Sequence, residues 1–194
     1  MLQEYRIQLP DSEATDQLAA VLATCLPRQL CVWLEGELGS GKTHLVRGLL
    51  RALGCRGAVR SPTYTLLETY DVDAPQTVRA GVRAPSTGAR QKLEAESGLV
   101  VYHFDLYRLA SPEEWAEAGF DDLPDPAVRL IEWPQRGGAA TPPADLRVGL
   151  AVAGRGRSAT VIACSRIGEE TCQTLGSALQ AQPAGSALHW VSVC

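Results

Sequence analysis

The sequence predicts an α/β fold built on a mainly parallel sheet, and three stretches of its 194 residues lead there. In the first, Leu30-Cys31-Val32-Trp33-Leu34 is an apolar run of strand length, followed by Gly36-Glu37-Leu38-Gly39-Ser40-Gly41-Lys42-Thr43. Leu45, Val46, Leu49, Leu50 and Leu53 then recur at helical spacing as far as Gly54. In the second, two apolar runs, residues 99–104 and 127–131, each end in an acid, Asp105 and Glu132. In a parallel sheet such acids lie at the carboxyl edge, where ligands bind. In the third, Leu146, Val148, Leu150 and Val152 alternate, Gly154-Arg155-Gly156-Arg157 turns, and Ala159, Val161 and Ala163 alternate back. That pattern predicts an antiparallel hairpin on the sheet edge.

Residues 36–43 are a complete G-x-x-x-x-G-K-[ST] signature, set between a strand and a helix as a phosphate cradle requires. The glycines let successive backbone N–H groups turn inward towards anionic oxygens. The helix beginning near Lys42 adds unpaired amides and the positive end of its dipole. Lys42 can reach the β- and γ-phosphates, and the Thr43 hydroxyl can ligate Mg²⁺. The stretch therefore reads as a site for a nucleoside triphosphate; the alternative is a strand–helix turn that happens to contain glycines.

The other elements follow in order. Tyr5, Ile7 and Leu9 alternate on one face of a strand, and Pro10-Asp11-Ser12 breaks it and offers a helix cap. The first helix runs to about residue 26, with Leu18, Val21, Leu22 and Cys25 inward. After the loop helix comes Ser61-Pro62-Thr63-Tyr64-Thr65, then strand character over 66–70. Hydroxyls in this position serve in some triphosphatases near Mg²⁺ and the γ-phosphate; an ordinary helix–strand connection is the other reading. Residues 71–98 are rich in Ala, Gly, Pro and Ser and predict a mobile surface excursion, with a short helix near 90–96.

Asp105 reads as a partner for Mg²⁺ opposite the glycine-rich loop, or as a carboxylate capping the next turn. Ser111-Pro112-Glu113-Glu114 predicts a helix start with Ser111 as cap, Pro112 first and Glu114 closing a capping box. Trp115, Ala118 and Phe120 would face inward. Asp105 and Glu132, on neighbouring strand ends facing one loop, make a metal and water site. Trp133-Pro134 either shapes that pocket or plugs the sheet edge. Residues 137–143 read as a linker-like loop and 168–180 as helical; the last dozen residues carry no assignable pattern.

Hydrophobic residues at 45 % and charged residues at 21 % are ordinary for a globular chain, and a net charge of −4 gives no global basic field to draw nucleic acid. No apolar run approaches the roughly 18 residues of a membrane span, and the first residues lack a signal pattern, so a cytoplasmic protein without membrane contact is expected. The six cysteines form no C-x-x-C pair and are expected as free thiols.

Together, residues 36–43, Ser61-Pro62-Thr63-Tyr64-Thr65, His103-Phe104-Asp105-Leu106-Tyr107-Arg108 and Glu132-Trp133-Pro134 closely resemble the TsaE (YjeE) family over roughly residues 3–165. That family comprises the P-loop ATPases of bacterial tRNA threonylcarbamoyladenosine synthesis. The resemblance implies a three-layer P-loop NTPase fold, with a mainly parallel central sheet, antiparallel edge strands and helices on both faces. It implies a single ATPase domain, taken as 1–165, within which 71–98 reads from its composition as a surface insertion; the C-terminal extension at 166–194 draws no support from the resemblance. It also implies ATP and Mg²⁺, slow hydrolysis, and action with TsaB and TsaD, through which tRNA is reached indirectly. Carried over by motif, Leu38, Gly39, Ser40, Gly41 and Lys42 hold phosphates, and Thr43 holds Mg²⁺. Asp105 and Glu132 match the acids near metal and nucleotide, Glu132 orienting water. Ser12 and Gly156 match positions that approach the nucleotide. Glu37 and Ser40 stand where Asp and Ala are common in the family, and the 71–98 stretch is longer than usual. A small-molecule kinase and a nucleotide-gated binding module remain the alternative functions.

Overall fold

Burial alternates along the strands, and one register of that alternation assembles the main core. The computed structural model describes residues 3–55, 57–62, 65–73, 98–183 and 186–193. Its strands are β1 (Glu4–Leu9), β2 (Leu30–Glu35), β3 (Leu67–Asp73), β4 (Gly98–Asp105), β5 (Val128–Glu132), β6 (Leu146–Ala153), β7 (Gly156–Ala163) and β8 (His189–Val193). The helices are α1 (Ser12–Cys25), α2 (Lys42–Ala52), the single-turn α3 (Glu113–Glu117) and α4 (Arg166–Gln180). All eight strands join one sheet in the order β3-β4-β5-β2-β6-β7-β1-β8.

The strands β4, β5, β2 and β6 are mutually parallel, whereas β3 on one side and β7, β1 and β8 on the other pair antiparallel. The sheet is thus mixed rather than mainly parallel. The β6–β7 hairpin forms as expected, but between β2 and β1, not at an edge. The edges are β3 and β8. The expected extension from residue 166 onward belongs to this same sheet and core: α4 packs on α1 and β7, and β8 pairs with β1.

The three long helices share one face. Leu18 and Leu22 of α1, Leu45 and Leu49 of α2, and Cys172 and Leu175 of α4 join a single cluster with Ile7, Val32, Val101, Leu130, Val148 and Val161 of the strands. Among the described residues the opposite face carries α3 and short turns, over β2, β5 and β4, where Phe104, Trp115 and Phe120 stack on one another in a cluster with Ile131. Among the described residues, helices therefore cover both faces over half of the sheet only.

Local chemistry fixes the ends. Asp11 rather than Ser12 caps α1, its carboxylate accepting the Ala14 N–H at 2.8 Å. Ser165 caps α4 by accepting from Gly168 N–H. The capping box expected at Ser111 does not form. Pro112 sits at the cap of α3, and the Glu114 carboxylate reaches back to the Ala110 N–H at 2.8 Å. Trp115 and Phe120 are buried as expected, but Ala118 is exposed, because α3 ends at Glu117 before its periodicity can turn Ala118 inward. The expectations for residues 74–97, including the short helix near 90–96, fall outside the described residues, as do Thr63 and Tyr64. Among the described residues no helix is long and apolar enough to cross a membrane, and Cys25, Cys31, Cys55, Cys164 and Cys172 are free thiols.

Candidate functional site

The site forms where β2 gives way to α2. Gly36 lies so close to β6 that an added Cβ would sit 2.1 Å from the Leu150 carbonyl oxygen, and its φ of +135° favours glycine. The loop then turns through Gly39 and Gly41, both at positive φ, and α2 begins at Lys42 with no side chain capping it. Its first amides are therefore left for a ligand. The Leu38 side chain points into solvent, so only its backbone belongs to the loop. Ser40 is buried, and its hydroxyl has no hydrogen-bond partner in the structure.

Lys42 is curled inward. Its Nζ donates to the carbonyls of Gly36 at 2.7 Å and Glu37 at 3.0 Å, and lies 4.1 Å from the centre of the Trp133 ring. Trp133 is placed there by a left-handed backbone, φ +58°, immediately after Glu132. Of the two readings of Trp133-Pro134, the structure supports pocket shaping: the indole is a wall of the lysine's compartment. Burial pulls the Lys42 ammonium below the usual lysine range, while Glu132, Asp105 and Glu37 oppose that shift.

The two predicted acids meet. Asp105 and Glu132 are direct register partners on the parallel pair β4–β5, and both are buried. Glu132 Oε2 accepts the Thr43 hydroxyl at 3.0 Å, so a strand-end carboxylate touches the loop residue expected at the metal. Its other oxygen, Oε1, lies 2.8 Å from His103 Nε2. Asp105 plays the capping part: Oδ1 accepts the Tyr107 N–H at 3.2 Å, which starts the turn Leu106–Arg108. Its Oδ2 faces the Ser61 hydroxyl at 3.5 Å, so the hydroxyl loop does approach this acid.

Beyond the loop opens a cavity of about 390 Å³. Gly39 and Gly41 line it, together with Ser12 at the start of α1 and Gly156 in the hairpin turn. An added Cβ on Gly156 would lie 2.3 Å from the Leu9 carbonyl, so only glycine lets the hairpin close on the end of β1 beside Ser12. All the predicted binding positions thus converge on one edge of the sheet.

Two residues of the site were not singled out from sequence. The Arg157 guanidinium donates to the carbonyls of Ser40 at 3.2 Å, Gly39 at 3.3 Å and Gly156 at 2.9 Å, bracing the loop against the hairpin. His103 is completely buried and holds Glu132. Its place two residues before Asp105, on the same strand face, was the available signal. Arg157 offered none, because its role needs the hairpin packed beside the loop.

Fold and loop together define a mixed α/β protein that carries the P-loop signature, a form whose main-chain amides and one lysine can surround an anion. Comparison with known proteins then narrows the class. A family model described as threonylcarbamoyl adenosine biosynthesis protein TsaE matches residues 9–159, and the chain belongs to the TsaE family. The tRNA threonylcarbamoyladenosine biosynthesis protein TsaE of Haemophilus influenzae is 36% identical over 143 residues, covering 73% of this chain and 75% of that protein. The protein of the same name from Synechocystis is 35% identical over 135 residues, covering 66% of this chain and 69% of its own length. Among solved structures, a Bacillus YdiB superposes with a TM-score of 0.64 over 91% of this chain and 97% of the other. At 22% identity that likeness speaks for the fold alone.

Proposed function

We propose that this protein binds and slowly hydrolyses ATP with Mg²⁺ as an accessory ATPase in tRNA threonylcarbamoyladenosine synthesis. It acts in the cytoplasm with the TsaB–TsaD pair, which carries the transfer chemistry and through which tRNA is met. The observation that carries the reading is the 3.0 Å contact between Thr43 and Glu132, which sets a hydroxyl of the phosphate loop against an acid from another strand end. Membership of the TsaE family supports the pathway.

In this reading Lys42 leaves the Gly36 and Glu37 carbonyls and turns its ammonium to the β- and γ-phosphates, while the loop amides receive the remaining oxygens. Ser12 and Gly156, at the far side of the cavity, border the nucleoside. The residues present suit Mg²⁺. Thr43 and Glu132 offer hard oxygen donors side by side, and among the described residues no three His, Cys, Asp or Glu side chains form a cage that would supply every ligand. Mg²⁺ held there would neutralise charge gathering on the phosphate oxygens. Glu132 orients the attacking water, and Asp105 adds the second negative charge beside it.

Purified protein with ATP and Mg²⁺ tests the reading by phosphate release, alone and with TsaB–TsaD. Slow release alone, accelerated by the pair, is expected, together with threonylcarbamoyl transfer that continues over several rounds only when this protein is present. Binding without turnover under every condition would make it a nucleotide-gated module instead, and a phosphorylated small molecule would make it a kinase.

A further inference from the structure

His103 lies inside the sheet, fully buried, two residues before Asp105 and on the same face. It cannot reach a nucleotide. Its Nε2 is 2.8 Å from Glu132 Oε1, whereas its Nδ1 is buried with no hydrogen-bond partner. A hydrogen placed on Nδ1 would have no acceptor, so the ring hydrogen belongs on Nε2, where the carboxylate accepts it. Glu132 is thus gripped at both oxygens, by His103 from within the protein and by Thr43 from the loop.

The two grips differ in kind. Thr43 belongs to the glycine-rich loop, so its grip is exposed to whatever the loop binds. His103 sits on a strand paired in register with the strand of Glu132, so its grip persists whatever the loop does. We propose that His103 is the positioning residue of Glu132: by holding Oε1 it keeps Oε2 directed at the loop and at the water to be activated. The proposal rests on the hydrolytic reading given above. Without the imidazole the carboxylate keeps only the Thr43 contact, and the Lys42 ammonium, for which Glu132 is the largest carboxylate influence, can draw it out of place. Outer groups that orient a reacting group commonly contribute about 10–100-fold to function.

The test compares His103→Leu, His103→Gln and His103→Asn. The Gln amide can place its N–H near the position of Nε2, whereas the shorter Asn amide mimics Nδ1 and cannot. We expect single-turnover ATP hydrolysis by His103→Leu and His103→Asn to fall about 10-fold or more, with Mg²⁺-ATP affinity within about 2-fold of the parent. His103→Gln should recover most of that rate. In a Glu132→Ala background, His103→Leu should slow hydrolysis no further, because its effect passes through Glu132. Should His103→Leu fail to fold, the Gln and Asn pair carries the comparison. Full-rate His103→Leu or His103→Asn, equal rates for Gln and Asn, or a further loss in the Glu132→Ala background would each overturn the proposal. Glu132→Ala separates the two levels. If it is slow while His103→Leu is not, only the positioning role falls. If it hydrolyses at the parent rate, the hydrolytic role of Glu132 falls first.

Discussion

From β4 to β6 the strands run parallel, and their carboxyl ends gather Asp105 and Glu132 beside the buried Lys42, with His103 beneath. Across β7 and β1 the strands run antiparallel and bury only apolar side chains and Gly156. The difference is geometric. Parallel strands bring all their carboxyl ends, and the first turns of the helices that follow, to one edge, so charge can accumulate there around a ligand. Antiparallel neighbours alternate direction and have no such common edge. The second half instead supplies area: α4 and β8 seal the core with Leu175, Leu179 and Leu188, and Tyr5 packs edge-on against Trp190 at 5.9 Å. One half gathers the charged groups, and the other packs behind it and lends Ser12 and Gly156 to the cavity.

That division can be broken from either side. Leu175→Ala removes a fully buried side chain under the antiparallel half and should lower unfolding free energy by about 2–5 kcal/mol in denaturant titration. Hydrolysis per folded molecule should stay the same; a matching fall in rate would show that the halves are not separable. Lys42→Ala should weaken Mg²⁺-ATP binding at least about 100-fold by calorimetry, a difference of roughly 2.7 kcal/mol. Retained affinity would remove the carboxyl edge as the phosphate site. For Glu132→Ala the expected loss is about 100-fold in hydrolysis rate with little change in binding, the pattern of a lost general base.

Arg157 spans the boundary, since it reaches from β7 to the loop carbonyls. Arg157→Met keeps the stem and drops the hydrogen bonds, and should weaken ATP binding about 10-fold. No change would mean that the loop needs no brace from the hairpin. The last effect is alkaline. Burial pushes the thiols of Cys31, in the parallel half, and Cys172, in α4, up to about 12 from 9.0. The native chain then keeps protons that the unfolded chain has released, so stability is full below pH 9.0 and falls as pH climbs towards about 12. Unfolding midpoints measured across that range should decline less in Cys172→Ala.

The parallel half was the more legible of the two. A glycine-rich loop between a strand and a helix, and acids at strand ends, are local patterns, and the fold brings together Lys42, Thr43, Asp105 and Glu132 as those patterns imply. The place of the β6–β7 hairpin was misread because alternation reveals a half-buried face but not which strand lies alongside. β1, far away in the sequence, and β8, five residues long and barely buried, decide that position. Ser111 misled for another reason: the cap falls on Pro112, which has no polar side chain to close a box, and the Glu114 carboxylate accepts the Ala110 N–H instead. Arg157 and His103 act through neighbours distant in sequence, Ser40 and Glu132 respectively, and such partnerships exist only in three dimensions.

The pairing of β3 with β4 closes at Asp73 opposite Gly98, and β4 then runs seven residues on to Asp105. At the usual rise per strand residue, that separates the closing pair from the acids by about 23 Å. Asp73 and Gly98 therefore occupy adjoining backbone positions at the end of the strand remote from Asp105. The joint is a natural splice point: a two-residue Asn-Gly turn in place of residues 74–97, or a foreign tag grafted between Asp73 and Gly98, would leave the carboxyl end of β4 in register.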